Sequence, residues 1–227
     1  MTYILCIETS TRVCSVALQK NGELEGSFTI YTYRSHAEQL ALFTEKLIQV
    51  CGIKLNELGA VAVSAGPGSY TGLRIGTSFA KGLCYAMDIP LITIGSLQGL
   101  AVAIRDRVEA GALIIPMMDA RRMEVYLQVF DHNGNAIDAA RPFLLEDESL
   151  EEFLGKGKCY FAGNGSDKAK KVISHPDAVF IHGIETDAKF LCEPAWTRYK
   201  EGDFADLAYF EPEYLKEFRA TKPKKLL

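Results

Sequence analysis

Residues 3–31 read as a three-stranded meander, and the same pattern returns after residue 114. In the first pass, strands are expected over 3–8, 13–20 and 23–31. Asn21-Gly22 is the hairpin turn, because a type I′ turn needs positive φ at both central residues. In the second pass, residues 115–119, 124–131 and 136–144 repeat the strands and Asn133-Gly134 repeats the turn. Glu8 and Asp119 each end the first strand of a copy. A repeat of this length constrains the fold more than any single motif, since each copy builds its own sheet. Two hairpins alike by chance would leave the same trace in the sequence.

After the first meander, Ala37, Leu40, Ala41, Leu47, Ile48 and Cys51 recur at helical spacing, with Ser35 and Glu38 placed as a capping box and Gly52 as the stop. A strand over 60–65, the loop Gly66-Pro67-Gly68-Ser69-Tyr70-Thr71-Gly72 and a helix over 73–87 follow, then a strand over 91–94 and a helix over 96–107. Strands alternating with helices predict parallel pairing in a helix-covered mixed sheet. The second copy is shorter, with a strand over 159–162, the loop Gly163-Asn164-Gly165-Ser166 and a helix over 167–173. A last helix over 187–200 carries Trp196 as a packing anchor. The expected architecture is α/β: two lobes, 1–108 and 109–227, from a duplicated βββαβα unit with a shortened second copy, flanking a cleft.

Composition narrows the chemistry. The 227 residues are 48% hydrophobic with a formal net charge of −4, and the acidic excess lies in the second half, which argues against a strong nucleic-acid binder. The longest apolar run, Tyr3 to Ile7, is too short to span a membrane, and the lack of a basic leader predicts a cytoplasmic protein. The six cysteines form no C-x-x-C pair and sit mostly in apolar runs, as reduced small hydrophobes do; the four histidines show no zinc spacing. Lys222, Lys224 and Lys225 read as a solvated terminus.

Three features can carry chemistry. Glu8 and Asp119, facing one cleft, suit a hydrated Mg²⁺ for phosphoryl transfer; each suits equally well the acceptor role in its adjacent turn. Gly66, Gly68 and Ser69 open a helix whose first turn carries Arg74, so backbone N–H groups can face an anion. No Gly-Lys-Ser/Thr follows, so the loop is not a P-loop, and a glycine-rich turn accounts for it as well. The absence of Gly-x-Ser-x-Gly argues against a nucleophilic hydrolase. Finally, the helices over 35–51 and 73–87 are apolar on more than one side, with Leu42, Phe43, Val50, Ile75, Phe79, Leu83, Tyr85 and Met87 off the main stripes. That predicts burial on more than one side, against the same domain or against a partner chain.

Cys6-Ile7-Glu8-Thr9-Ser10, Gly66-Pro67-Gly68-Ser69-Tyr70-Thr71-Gly72 and Met118-Asp119-Ala120-Arg121, in that order and with the chain's length, resemble the bacterial TsaB (YeaZ) family. The resemblance implies the actin-like ATPase (ribonuclease H-like) fold. It implies a non-catalytic partner of the TsaD transferase and the TsaE ATPase in making threonylcarbamoyladenosine beside the anticodon of tRNAs that read codons beginning with A. The tRNA is then reached through the complex, and the family's self-association implies a homodimer as a further state. Docking by the two helices makes Leu40, Phe43, Leu47, Gly76, Phe79 and Leu83 the candidate contacts. TsaD-like proteins carry an H-x-x-x-H metal motif where this chain has Ser96 and Leu100, so no metal and no catalytic residue are expected. Glu8, Gly66, Gly68, Ser69, Arg74 and Asp119 become a vestigial cleft with no tightly bound cofactor and at most weak Mg-ATP or ADP binding. The rivals are a small ATP-dependent phosphotransferase using those residues and a metallopeptidase.

Overall fold

The computed structural model describes residues 1–31, 36–146 and 150–216. Ser35 and the three tail lysines lie outside the described residues. Strands β1 (Tyr3–Glu8), β2 (Cys14–Lys20) and β3 (Glu23–Ile30) form the first meander, joined at Asn21 and Gly22, whose φ angles are 51° and 95°. Helix α1 (His36–Val50), β4 (Leu58–Gly66), α2 (Tyr70–Met87), β5 (Leu91–Gly95) and α3 (Ser96–Arg105) follow. The first sheet has the order β3-β2-β1-β4-β5, antiparallel within the meander and parallel from β1 through β4 to β5.

The second half repeats this topology. Strands β6 (Leu113–Asp119), β7 (Glu124–Leu127), β8 (Phe130–Asp131) and β9 (Arg141–Leu144) make its meander; β10 (Cys159–Ala162) and β11 (Ala178–Ile181) add the parallel pair, in the order β11-β10-β6-β7-β9. An order shared strand for strand makes chance resemblance of two hairpins untenable. The shortening falls on the helices: α4 (Glu151–Leu154) and α5 (Ser166–Ala169) have 4 residues each, against 15 in α1 and 18 in α2. The helix expected over 167–173 therefore winds only one turn.

The strand expected over 124–131 breaks between β7 and β8, where the Val129 N–H turns to Asp138 Oδ1 at 2.7 Å and leaves the ladder. Strand β11 is absent from the expectations, because its four residues fall short of a legible period. The helix expected over 187–200 divides into a 3-10 turn, Ala188–Leu191, and α6 (Cys192–Glu201). Pro194 supplies the reason, since its missing N–H is harmless in the first turn of α6 and disruptive inside a longer helix.

Alternation along the strands sorts the cores. Leu5, Ile7, Val16, Leu18, Val61 and Val63 point to the face covered by α1 and α2. Cys6, Ala17, Ala60 and Ala62 point the other way, and these small residues admit Ala188, Leu191, Cys192 and Ala195 close to the sheet. The segment 188–201 of the second half thus covers the first sheet. Reciprocally, α3 of the first half lays Leu97, Leu100 and Ile104 on Ile114, Met118 and Phe130 of the second. Trp196 stacks on Tyr199 and lies where a Cβ on Gly22 would meet it at 2.6 Å, so the anchor fixes the hairpin turn beneath α6.

Candidate functional site

The turn after β1, the end of β6 and the second glycine turn line one crevice between the sheets, through Thr11, Met118 and Asn164, whereas Glu8, Asp119 and the first glycine loop lie outside its lining. Glu8 is 1% exposed; its Oε1 accepts from the Ser10 N–H at 2.6 Å and from the Ser64 hydroxyl at 3.1 Å. Asp119 repeats the arrangement, its Oδ1 accepting from the Arg121 N–H at 2.6 Å, and adds an ion pair to Lys168 at 2.7 Å. Both carboxylates therefore serve as acceptors for their own turns, the second of the two roles the sequence allows.

Burial pushes the Glu8 carboxyl above its ordinary value of 4.5, and the bonds from Ser10 and Ser64 offset part of that rise. A carboxyl whose folded value is raised contributes stability that is full below the ordinary value and is lost as pH rises through the folded value. Glu8→Gln is expected to remove that loss. Its stability relative to the parent, from urea unfolding at pH 4.5 and above, should improve with rising pH, approaching about 1.4 kcal/mol for every tenfold weakening of the acid by burial. A difference independent of pH would contradict the buried acid.

The glycine loop is packed against the turn that follows β1. The Ser69 N–H donates to the Ser10 carbonyl at 2.6 Å, and the Ser69 hydroxyl caps α2 by accepting from the Gly72 N–H. A Cβ on Gly68 would lie 2.4 Å from the Ser10 carbonyl oxygen, one on Gly72 2.1 Å from that of Thr9, and one on Gly76 2.2 Å from Thr9 Oγ1. At Gly66, with φ of 119°, a Cβ would meet the Glu213 carbonyl oxygen at 2.6 Å. Each glycine admits a neighbouring segment of the same chain. The second copy does likewise, Gly163 and Gly165 pressing on Met117 and Met118.

The crevice lined by Thr11, Leu100, Met118, Asn164, Glu185 and Thr186 leaves about 0 Å³ open to a water molecule, against the roughly 300 Å³ at which small-molecule pockets begin. Direct bonds between the halves hold it narrow: Thr11 Oγ1 to Thr186 Oγ1 at 2.8 Å, Arg12 to Glu185 at 2.6 Å, and the Thr29 hydroxyl to Asp187 at 3.0 Å. Sequence reasoning missed Thr186 and Asp187; Asp187 shows there only as a helix-start signal. Because α2 starts at Tyr70 rather than at residue 73, Arg74 lies in its second turn and not the first as expected; it is exposed, donates to the Tyr214 hydroxyl at 3.2 Å and lies 4.1 Å over the Tyr70 ring.

Of the expected docking residues, Leu40 and Leu47 are 1% and 2% exposed in the core under the first sheet and Gly76 is buried against Thr9, so these three are internal rather than outward positions. Phe43, Phe79 and Leu83 are half-buried around the same core. The outward apolar positions are Leu42 at 46%, Val50 at 74% and Tyr85 at 84% exposure. Ser96 is buried at the start of α3 and Leu100 lies in the core, so the donor set does not fit a transition metal. Among the described residues no group of three or more His, Cys, Asp or Glu side chains could hold a metal ion, and no helix is long and apolar enough to cross a membrane. Burial pushes the Cys14, Cys84 and Cys159 thiols up to about 11, which keeps them protonated and poorly nucleophilic.

Two sheets of identical order, each ending its first strand in an acid beside a glycine turn and exchanging a helix across the crevice, define an actin-like ATPase fold. The activator of 2-hydroxyisocaproyl-CoA dehydratase from Clostridium difficile shares that fold, with a TM-score of 0.52 at 12% identity over 88% of this chain and 97% of its own. The family model for tRNA N6-adenosine threonylcarbamoyltransferase (TsaD) matches residues 30–209. The tRNA threonylcarbamoyladenosine biosynthesis protein TsaB of Bacillus subtilis is 30% identical over 94% of this chain and 93% of its own. YeaZ from Pseudomonas aeruginosa superposes with a TM-score of 0.83 at 26% identity, over 95% of this chain and all of its own. The chain belongs to the TsaB (YeaZ) family of threonylcarbamoyladenosine biosynthesis proteins.

Proposed function

We propose that this chain is a cytoplasmic, non-catalytic scaffold subunit for threonylcarbamoyladenosine formation beside the anticodon of tRNAs reading codons that begin with A. It docks a TsaD-type transferase through α1 and α2, works with a TsaE-type ATPase, and self-associates through related surfaces as a further state. The observation that carries this reading is the pair Ser96 and Leu100, a buried hydroxyl and a core leucine where the transferase branch has metal-binding histidines. The engaged carboxylates of Glu8 and Asp119 support it further.

The glycine loop fits no tight nucleotide site, because the Ser69 N–H and the space before Gly68 and Gly72 are taken by residues 9 and 10. Mg-ATP or ADP then binds weakly at the crevice or at the complex interface. Depleting the chain in its native cell should remove threonylcarbamoyladenosine from tRNA, and re-expression should restore it. Titration calorimetry of the purified chain with Mg-ATP should show no micromolar binding; micromolar binding with turnover would favour the phosphotransferase.

A further inference from the structure

The last described segment crosses from one lobe to the other and builds a surface that the scaffold reading does not use. Ala205 bridges to Leu91 at the edge of β5, Lys81 Nζ donates to the Ala208 and Phe210 carbonyls, and the Glu213 N–H donates to the Ala65 carbonyl at 2.7 Å. Beyond that point the side chains alternate in kind. Tyr214 packs on Tyr70 with ring centroids 4.6 Å apart, and Arg74 lies against both rings. Two residues on, Lys216 reaches the second lobe, pairing with Glu124 and standing 5.7 Å over the Tyr126 ring. Arg121 acts electrostatically on Tyr126, and the Glu124 N–H donates to the Arg121 carbonyl.

The strip thus runs from Arg74 across Tyr214, Lys216 and Tyr126 to Arg121, with the exposed Arg122 next to it in the chain. Arg121 and Arg122 are both exposed and have left-handed φ angles of 69° and 50°, a costly conformation for two consecutive non-glycine residues. Among the described residues, Arg74, Arg121 and Arg122 have no carboxylate ion-pair partner. Uncompensated cations gathered beside aromatic rings, on a chain of net charge −4, suit a flexible polyanion with flat faces.

We propose that this strip binds unpaired nucleotides of the tRNA substrate, the arginines meeting phosphates and the tyrosines stacking on bases. The proposal rests on the scaffold reading only for the identity of the RNA. The test measures tRNA affinity across a salt series, for the free chain and for its complex with the cognate transferase. Arg74→Ala/Arg121→Ala/Arg122→Ala should weaken binding at least tenfold at low salt and flatten the log–log salt dependence by about 2, since each phosphate contact to a single strand contributes about 0.7. Tyr214→Ala should weaken binding severalfold with the salt slope unchanged, and duplex RNA of equal length should compete poorly.

Unchanged affinity and slope in a complex that assembles normally would overturn the strip. So would a triple variant that loses the transferase while keeping RNA affinity, because the strip would then belong to the protein partner. If the parent chain fails to assemble, the scaffold reading falls, and the free-chain titrations still decide the strip.

Discussion

Gly72→Ala is expected to destabilise the fold by about 2–3 kcal/mol, lowering the melting temperature on the order of 8 °C. Alanine normally stabilises a helix interior relative to glycine by roughly 0.5–1 kcal/mol, so the sign itself is diagnostic. At Gly72 the added Cβ would lie 2.1 Å from the Thr9 carbonyl oxygen, a backbone atom directly after β1 that cannot swing aside as a side chain would. Gly82, on the same helix, has nothing within 4 Å of its Cβ position, and Gly82→Ala should raise the melting temperature. Opposite signs in one helix, read by thermal melts, separate a glycine kept for close packing from one that merely tolerates exposure. A rise at both positions would mean that the loop does not press on residue 9.

Leu42→Glu and Tyr85→Glu are each expected to weaken association with the transferase by about 2 kcal/mol, close to thirtyfold in Kd, with stability altered by no more than about 0.5 kcal/mol. Their exposure of 46% and 84% leaves little of either side chain in the core to lose. Leu40→Ala is the control, expected to cost about 2–5 kcal/mol of stability because that side chain is buried against the first sheet. Calorimetric titration beside urea unfolding gives both numbers for each variant. Parallel losses of binding and stability at Leu42 or Tyr85 would mark them as ordinary core.

The contrast between Leu40 and Leu42 shows where sequence reasoning stops. Helical spacing set Leu40 on the main apolar stripe and Leu42 off it, while the docking implied by the resemblance made Leu40 a candidate contact; the position of α1 over the sheet turns Leu40 inward and Leu42 outward. Local devices were legible: Asn21-Gly22 adopts the positive φ angles its turn needs, and the strands expected over 3–8, 13–20 and 23–31 match β1, β2 and β3 to within a residue at each end. The repeat was legible too, since the topology of both sheets follows from motifs close in sequence.

What escaped depends on distant partners. Nothing near residues 188–195 signals that they will pack on Cys6, Ala17, Ala60 and Ala62 of the first sheet, and nothing in the glycine loop says that residues 9, 10 and 213 will fill the space before it. The loop composition suits an anion and a close backbone approach equally well, because both require the missing Cβ.

Mixing the purified chain with its cognate TsaD-type transferase, and weighing the eluting species by size-exclusion chromatography with light scattering, tests the scaffold claim most directly. One heteromeric peak containing both chains, lost with Leu42→Glu and Tyr85→Glu combined, is the expected result. Two separate peaks at concentrations on the order of tens of micromolar, far above the range of a stable subunit interface, would contradict it.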